Sequence, residues 1–137
     1  MTTMRMVPAA AALFAAAWTS GALADCPTPA ALAPCKACHV LEPGKPSRPT
    51  GPNLVGVVGR KAGELADFKG YSEAIRAARE KGLVWTEDNI FNYIADPKGF
   101  LAAFNGQPLR NAMAFQLKDE GRRKAAVEGL ELIAACQ

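Results

Sequence analysis

Behind an apolar, alanine-rich leader, the polar and apolar positions of this chain fall into helical periods. They never fall into the alternation of a half-buried strand. Ser72 is placed to cap a helix running to Lys81, with Ala74, Ile75 and Ala78 on its apolar side and Gly82 ending it. Thr86 caps a second helix from about Glu87 to Ala95, built on Ile90, Phe91 and Ile94, and Pro97 stops it. Residues 98–104 add a short third helix, followed by a loop through Asn105-Gly106-Gln107-Pro108. The last helix runs from about Glu120 to Ala135, with Val127, Leu130, Ile133 and Ala134 on one side. Residues 42–63 are rich in Gly and Pro and read as loop wrapped against something apolar. Pro27, Pro29 and Pro34 confine residues 25–34 to a short helical stretch. The expected fold is all-α, a small single domain of helices and loops.

The leader changes the picture of where the protein resides. Arg5 supplies a positive start, Val7–Trp18 is an apolar run too short to span a bilayer, and Ala22-Leu23-Ala24 fits a small-x-small cleavage site. Residues 1–24 are therefore expected to be a cleaved secretory signal peptide, leaving 25–137 as the domain and the periplasm as its destination. No other segment is apolar enough to be a membrane span. Losing Arg5 reduces the 16 basic residues to 15 against 13 acidic ones, which is too nearly neutral for a nucleic-acid partner.

The chemistry sits in Cys35-Lys36-Ala37-Cys38-His39. Two cysteines separated by two residues can reach the two vinyl groups of one haem and form thioethers. The following histidine can then ligate the iron, so C-x-x-C-H marks c-type haem attachment. A redox C-x-x-C would be expected near a βαβ pattern, which is missing. A zinc site would need about four ligands, and no second C-x-x-C or other histidine exists.

The iron's other ligand follows by elimination. His39 is the sole histidine, so bis-histidine ligation within a monomer is excluded. Met1, Met4 and Met6 leave with the leader, and Met113 remains in a loop-like stretch far along the chain. Lysine, or no ligand at all, is the rival; either would point to gas binding or catalysis rather than to closed Met/His ligation. Of the four cysteines, Cys26 and Cys136 are left over, an even pair in an exported chain, and are expected to form a disulfide. Leu23-Ala24-Asp25-Cys26 also resembles a lipoprotein signal, so lipidation of Cys26 is the competing reading, and two free thiols a third.

Beyond the motif, several stretches occur in one order: Thr50-Gly51-Pro52-Asn53-Leu54, Gly59-Arg60-Lys61, Tyr71-Ser72, Trp85-Thr86-Glu87, Tyr93 to Lys98, and Met113-Ala114-Phe115. Together with Cys35–His39 they resemble the class I c-type cytochromes, closest to bacterial cytochrome c2 of the longer-loop type. The resemblance spans nearly all of residues 35–118. It implies that the Pro52 carbonyl orients His39 and that Arg60 helps neutralise a haem propionate. It further implies that Tyr71 and Trp85 donate to propionate oxygens, that Tyr93 donates to the Met113 sulfur, and that Phe115 shields the haem edge. Before the motif the resemblance weakens. The usual N-terminal helix is interrupted by Pro27 and Pro29, Ala31 and Leu32 stand near the place of an aromatic, and Pro34 stands where a docking lysine is common.

These readings converge on a monomeric periplasmic one-electron carrier with a single haem c, covalent through Cys35 and Cys38 and ligated by His39 and Met113. Its expected partners are redox proteins such as a bc1 complex, a terminal oxidase, a photosynthetic reaction centre or a periplasmic dehydrogenase. It is not expected to be an enzyme. The competing classes are a small haem enzyme or gas-binding protein with an open iron, and the same carrier lipid-anchored through Cys26.

Overall fold

The computed structural model describes residues 27–136. The signal-peptide reading of residues 1–24, and Cys26, lie outside the described residues. Among the described residues there are four α-helices and one 3₁₀ helix, with no strand beyond two isolated bridges, Arg48–Gly51 and Lys61–Val84. The all-α expectation holds.

The helix ends are where the capping chemistry puts them. Helix α1 is Glu73–Glu80, and the Ser72 side chain accepts from the N–H of Ile75. Beyond it, Gly82 takes φ +81°; its N–H donates to Arg79 O at 2.9 Å and that of Leu83 to Ala78 O at 2.9 Å. These two bonds satisfy the last carbonyls as a Schellman motif. Helix α2 is Glu87–Ala95, capped by Thr86, and α3 is Pro97–Asn105, capped by Asp96 with proline at its first position. Helix α4 is Glu120–Ala134, capped by Asp119.

The N-terminal segment departs from expectation. The 3₁₀ helix covers Ala30–Ala37, so it contains Pro34 and runs into the cysteine motif instead of ending before it. The ring of Pro34 removes one donor, but the turn closes again immediately. The N–H of Cys38 donates to Cys35 O at 3.2 Å and that of His39 to the same carbonyl at 2.9 Å. That turn sets the three-residue spacing of the cysteines on one side of the chain.

Helix α4 packs on this 3₁₀ helix and on α2, while α3 packs on α1 and α2. Leu32 is fully buried and sits over Gly129 of α4, where an added Cβ would lie 3.1 Å from Leu32 Cγ and 3.4 Å from Pro29 Cβ. A glycine on the last helix thus receives a leucine from the N-terminal segment. Among the described residues no helix is long and apolar enough to cross a membrane.

Cys136 is disulfide-bonded, whereas Cys35 and Cys38 are free. The expected partner of Cys136, Cys26, is outside the described residues, so the pairing stands as a prediction. Intact-mass analysis of the purified protein should give a chain starting at Asp25, two hydrogens lighter than its reduced form and with no alkylatable thiol. A start at Cys26 carrying a diacylglycerol-sized increment would establish the lipoprotein instead. Closing a loop of this length is worth on the order of 4–5 kcal/mol in the chain-entropy model, an upper figure.

Candidate haem-binding site

The ten side chains singled out in the sequence all line one cavity of about 410 Å³. The 3₁₀ helix contributes Cys35 and its C-terminal turn Cys38 and His39. The loop after it supplies Pro52 and Arg60, the approach to α1 supplies Tyr71, the α2 region Trp85 and Tyr93, and the segment before α4 supplies Met113 and Phe115. His39 and Met113, 74 positions apart in sequence, are therefore walls of the same space.

His39 is held in one tautomer. Its Nδ1 lies 2.8 Å from the carbonyl oxygen of Pro52, which can only accept, so Nδ1 carries the proton and Nε2 keeps its lone pair. Burial lowers the imidazole pKa and favours this neutral form. The carbonyl is itself fixed by its neighbours. Asn53 is buried, donates from Nδ2 to the carbonyls of Glu42 at 2.9 Å and Lys45 at 2.8 Å, and accepts at Oδ1 from the N–H of Val55 at 2.9 Å. Asp67 accepts from the N–H of Ser47 at 2.7 Å and from its hydroxyl at 3.0 Å, while the Ser47 oxygen accepts from the Asn53 N–H. Those bonds from Ser47 hold the Asp67 carboxyl below its ordinary value. Thr50 closes the arrangement by donating to Cys38 O at 2.8 Å.

Gly51 lets this loop come close. An added Cβ there would lie 2.7 Å from His39 Nδ1, 2.8 Å from its Cε1 and 2.9 Å from Cys38 O. Gly51 and Asn53 stand in the sequence as parts of a motif and not as site residues: Gly51 matters through its approach to a ring 12 positions away, and Asn53 through bonds that hold the loop behind Pro52. Asn111 was missed as well: its Nδ2 donates to Met113 O at 2.8 Å. The signal for that bond is local, since Asn side chains commonly bond the backbone two residues on.

The remaining walls fit a large flat group with an anionic edge. Arg60 is half-buried and gives its guanidinium to the carbonyls of Asn53, at 2.8 Å, and Val55. Burial lowers its pKa, so a negative group in the cavity would offset an otherwise costly charge. The Tyr71 hydroxyl accepts from the N–H of Leu65 at 3.1 Å, which leaves its proton free to donate. Tyr93 packs on Trp85 with ring centroids 4.7 Å apart, and burial raises its pKa so that the phenol keeps its proton. Phe115 is 43 % exposed at the rim. Burial likewise raises the Cys35 thiol.

The comparisons with known proteins agree with this geometry. The chain is 44 % identical over 94 residues to cytochrome c2 of Cereibacter sphaeroides, covering 63 % of this chain and 75 % of the relative. It is 41 % identical over 97 residues to cytochrome c2 of Rhodopseudomonas palustris, covering 66 % and 81 %. The chain belongs to the cytochrome c2 family. The solved structure of cytochrome c2 from Rhodobacter sphaeroides superposes with a TM-score of 0.69 at 39 % identity, covering 76 % of this chain and 90 % of that one. That of Rhodospirillum centenum gives 0.69 at 38 %, covering 74 % and 91 %. No protein-family model matches the chain. As a cytochrome c2 relative it carries one covalent haem c, with Cys35 and Cys38 as the attachment pair, and it belongs to a group of electron carriers that work with redox partners.

Proposed function

We propose that this chain is an exported, periplasmic one-electron carrier, and not an enzyme, in which His39 and Met113 occupy the two axial positions. The observation that carries the reading is the pairing of two walls of one cavity. His39 has its Nδ1 locked on Pro52, and Met113 is the sole thioether of residues 25–137. The haem supplies the one-electron iron couple. The chain's own contribution is to fix both ligands so that they need not move between oxidation states. Pro52 orients His39, Asn111 braces the backbone of Met113, and the protonated Tyr93 phenol, on the wall of the same cavity, would donate to the sulfur. Rapid mixing of the ferrous protein with carbon monoxide at neutral pH tests this. Met113 ligation predicts no binding on that time scale, whereas fast binding would favour the open-iron enzyme or gas-binding reading.

Electrons would leave at the rim marked by Phe115. Lys36, Lys98, Arg110 and Lys118 are all exposed and are our candidates for a cationic docking face for an acidic redox protein, with this chain acting as a monomer. A bc1 complex, terminal oxidase, photosynthetic reaction centre or periplasmic dehydrogenase would each serve as donor or acceptor. The net charge is small once Arg5 is removed, so steering should be modest. The bimolecular rate with such a partner should fall as salt rises, and Lys98→Glu should lower the low-salt rate and flatten that dependence. A rate indifferent to both changes would remove the proposed face.

A further inference from the structure

Residues 106–119 form the strap that carries Met113 from α3 to α4. At its upstream end Asn105, the last residue of α3, is 3 % exposed and donates from Nδ2 to Ala74 O at 3.0 Å. The N–H of the same Ala74 donates to Arg110 O at 3.1 Å, so one residue of α1 closes residues 106–109 into a pinned excursion. The ammonium of Lys81 adds a bond to the Asn105 carbonyl. At the downstream end Arg123, in the first turn of α4, donates from Nη1 to Lys118 O at 2.6 Å and to Leu117 O at 3.3 Å. Its guanidinium carbon lies 4.4 Å from the centroid of the Phe91 ring of α2. The N–H of Leu117 is taken by Ile94 O at 2.7 Å. The span left between the two fixed ends is 111–116, with Met113 inside it.

Asn105 and Arg123 share a second property. Asn105 Oδ1 and Arg123 Nε are the buried side-chain polar atoms left without a hydrogen bond among the described residues. An unpaired buried polar atom is unfavourable, and an apolar residue at either position would avoid it. In both residues the atoms that are paired serve one purpose, which is to hold an end of the strap.

We infer that Asn105 and Arg123 are positioning residues that hold the two ends of the Met113 strap and so set how often the thioether leaves the iron; this rests on Met113 being the axial ligand. A ligand on a short span between fixed ends returns to its site at high effective concentration. Losing the Asn105 amide removes one buried hydrogen bond at the upstream end while the Ala74 N–H still holds Arg110 O, and a single such bond is worth about threefold. Freeing the downstream end removes charge-assisted bonds to two carbonyls, whose loss has an effect of about tenfold or more.

Imidazole competition on the ferric holoprotein reads this opening directly, with urea unfolding as a separate measure of global stability. Imidazole affinity should rise about tenfold in Arg123→Leu and about threefold in Asn105→Ala. Arg123→Lys, which retains one cationic donor, should give a smaller rise than Arg123→Leu and serves if the leucine variant fails to fold. Asn89→Ala loses a comparable bond, from Asn89 Nδ2 to Val84 O at 2.7 Å, away from the strap, and should leave the affinity unchanged. In Asn105→Ala an unpaired acceptor disappears along with the bond, so the affinity should change by more than global stability explains. Affinities within twofold of the parent in the strap-end variants would overturn the inference, as would an equal rise in Asn89→Ala. Met113→Ala in the same assay separates the two readings. A rise there with silent strap-end variants sinks only the role of Asn105 and Arg123, whereas no rise in Met113→Ala sinks the ligand assignment beneath it.

Discussion

Met113→Ala should lower the reduction potential and make the ferrous protein bind carbon monoxide. A thioether is a soft, neutral donor that favours the ferrous state, and the alanine side chain leaves the position to water. Haem axial ligands span roughly 0.8 V of potential, and the drop here should be on the order of 0.1–0.3 V. Lys61 also lines the cavity and is the rival donor from the chain itself. Were a lysine the native ligand, the potential and the absence of carbon monoxide binding would survive the change at Met113. Redox titration of the two proteins side by side, followed by mixing each with carbon monoxide, decides between them.

The second large effect is expected at a residue with no side chain. Gly51→Ala puts a Cβ within 2.9 Å of three atoms, two in the His39 ring and one in the Cys38 backbone. Neither neighbour can yield freely, because the ring is bonded to Pro52 and Cys38 is an attachment point. Overpacking of this kind costs about 1–3 kcal/mol. It should also loosen the Nδ1–Pro52 bond, weaken His39 as a donor and raise the potential. Gly44→Ala is the comparison. Gly44 has φ +69° and nothing within 4 Å of an added Cβ, so the change should cost stability through backbone conformation alone and leave the potential in place. Urea unfolding and redox titration of both variants give the answer. A Gly51→Ala protein with unaltered potential would show that the Gly51 approach does not seat the histidine.

Elements whose causes are local could be read from the chain. Ser72 and Gly82 bracket α1, and Thr86 and Pro97 bracket α2, because caps and breakers act within a few residues. The haem cysteines and the adjacent His39 are legible for the same reason, and counting sulfurs picks out Met113, which the fold places on the wall of the same cavity. Features that depend on distant contacts were not. Nothing near Gly51 announces a histidine 12 positions back, and nothing near Arg123 announces the Phe91 ring or the carbonyls of the strap. Proline breaks an α-helix, so Pro27, Pro29 and Pro34 make the N-terminal helical stretch look shorter in the sequence than Ala30–Ala37. A 3₁₀ turn that lets Leu32 settle over Gly129 tolerates Pro34 and continues through Cys35. The family resemblance extended the legible part to Arg60, Tyr71, Trp85 and Tyr93, which a chemical reading alone would have left as surface charge and core aromatics.

The most direct test of His39/Met113 ligation is the proton NMR spectrum of the ferrous holoprotein, compared with that of Met113→Ala. A methionine bound to the iron lies over the porphyrin face, where the ring current shifts its methyl and methylene protons far upfield of any other resonance. Met113 is the sole methionine of residues 25–137, so one such set of signals is predicted, present in the parent and lost in the variant. A parent spectrum with the methionine methyl at its ordinary position would contradict the account.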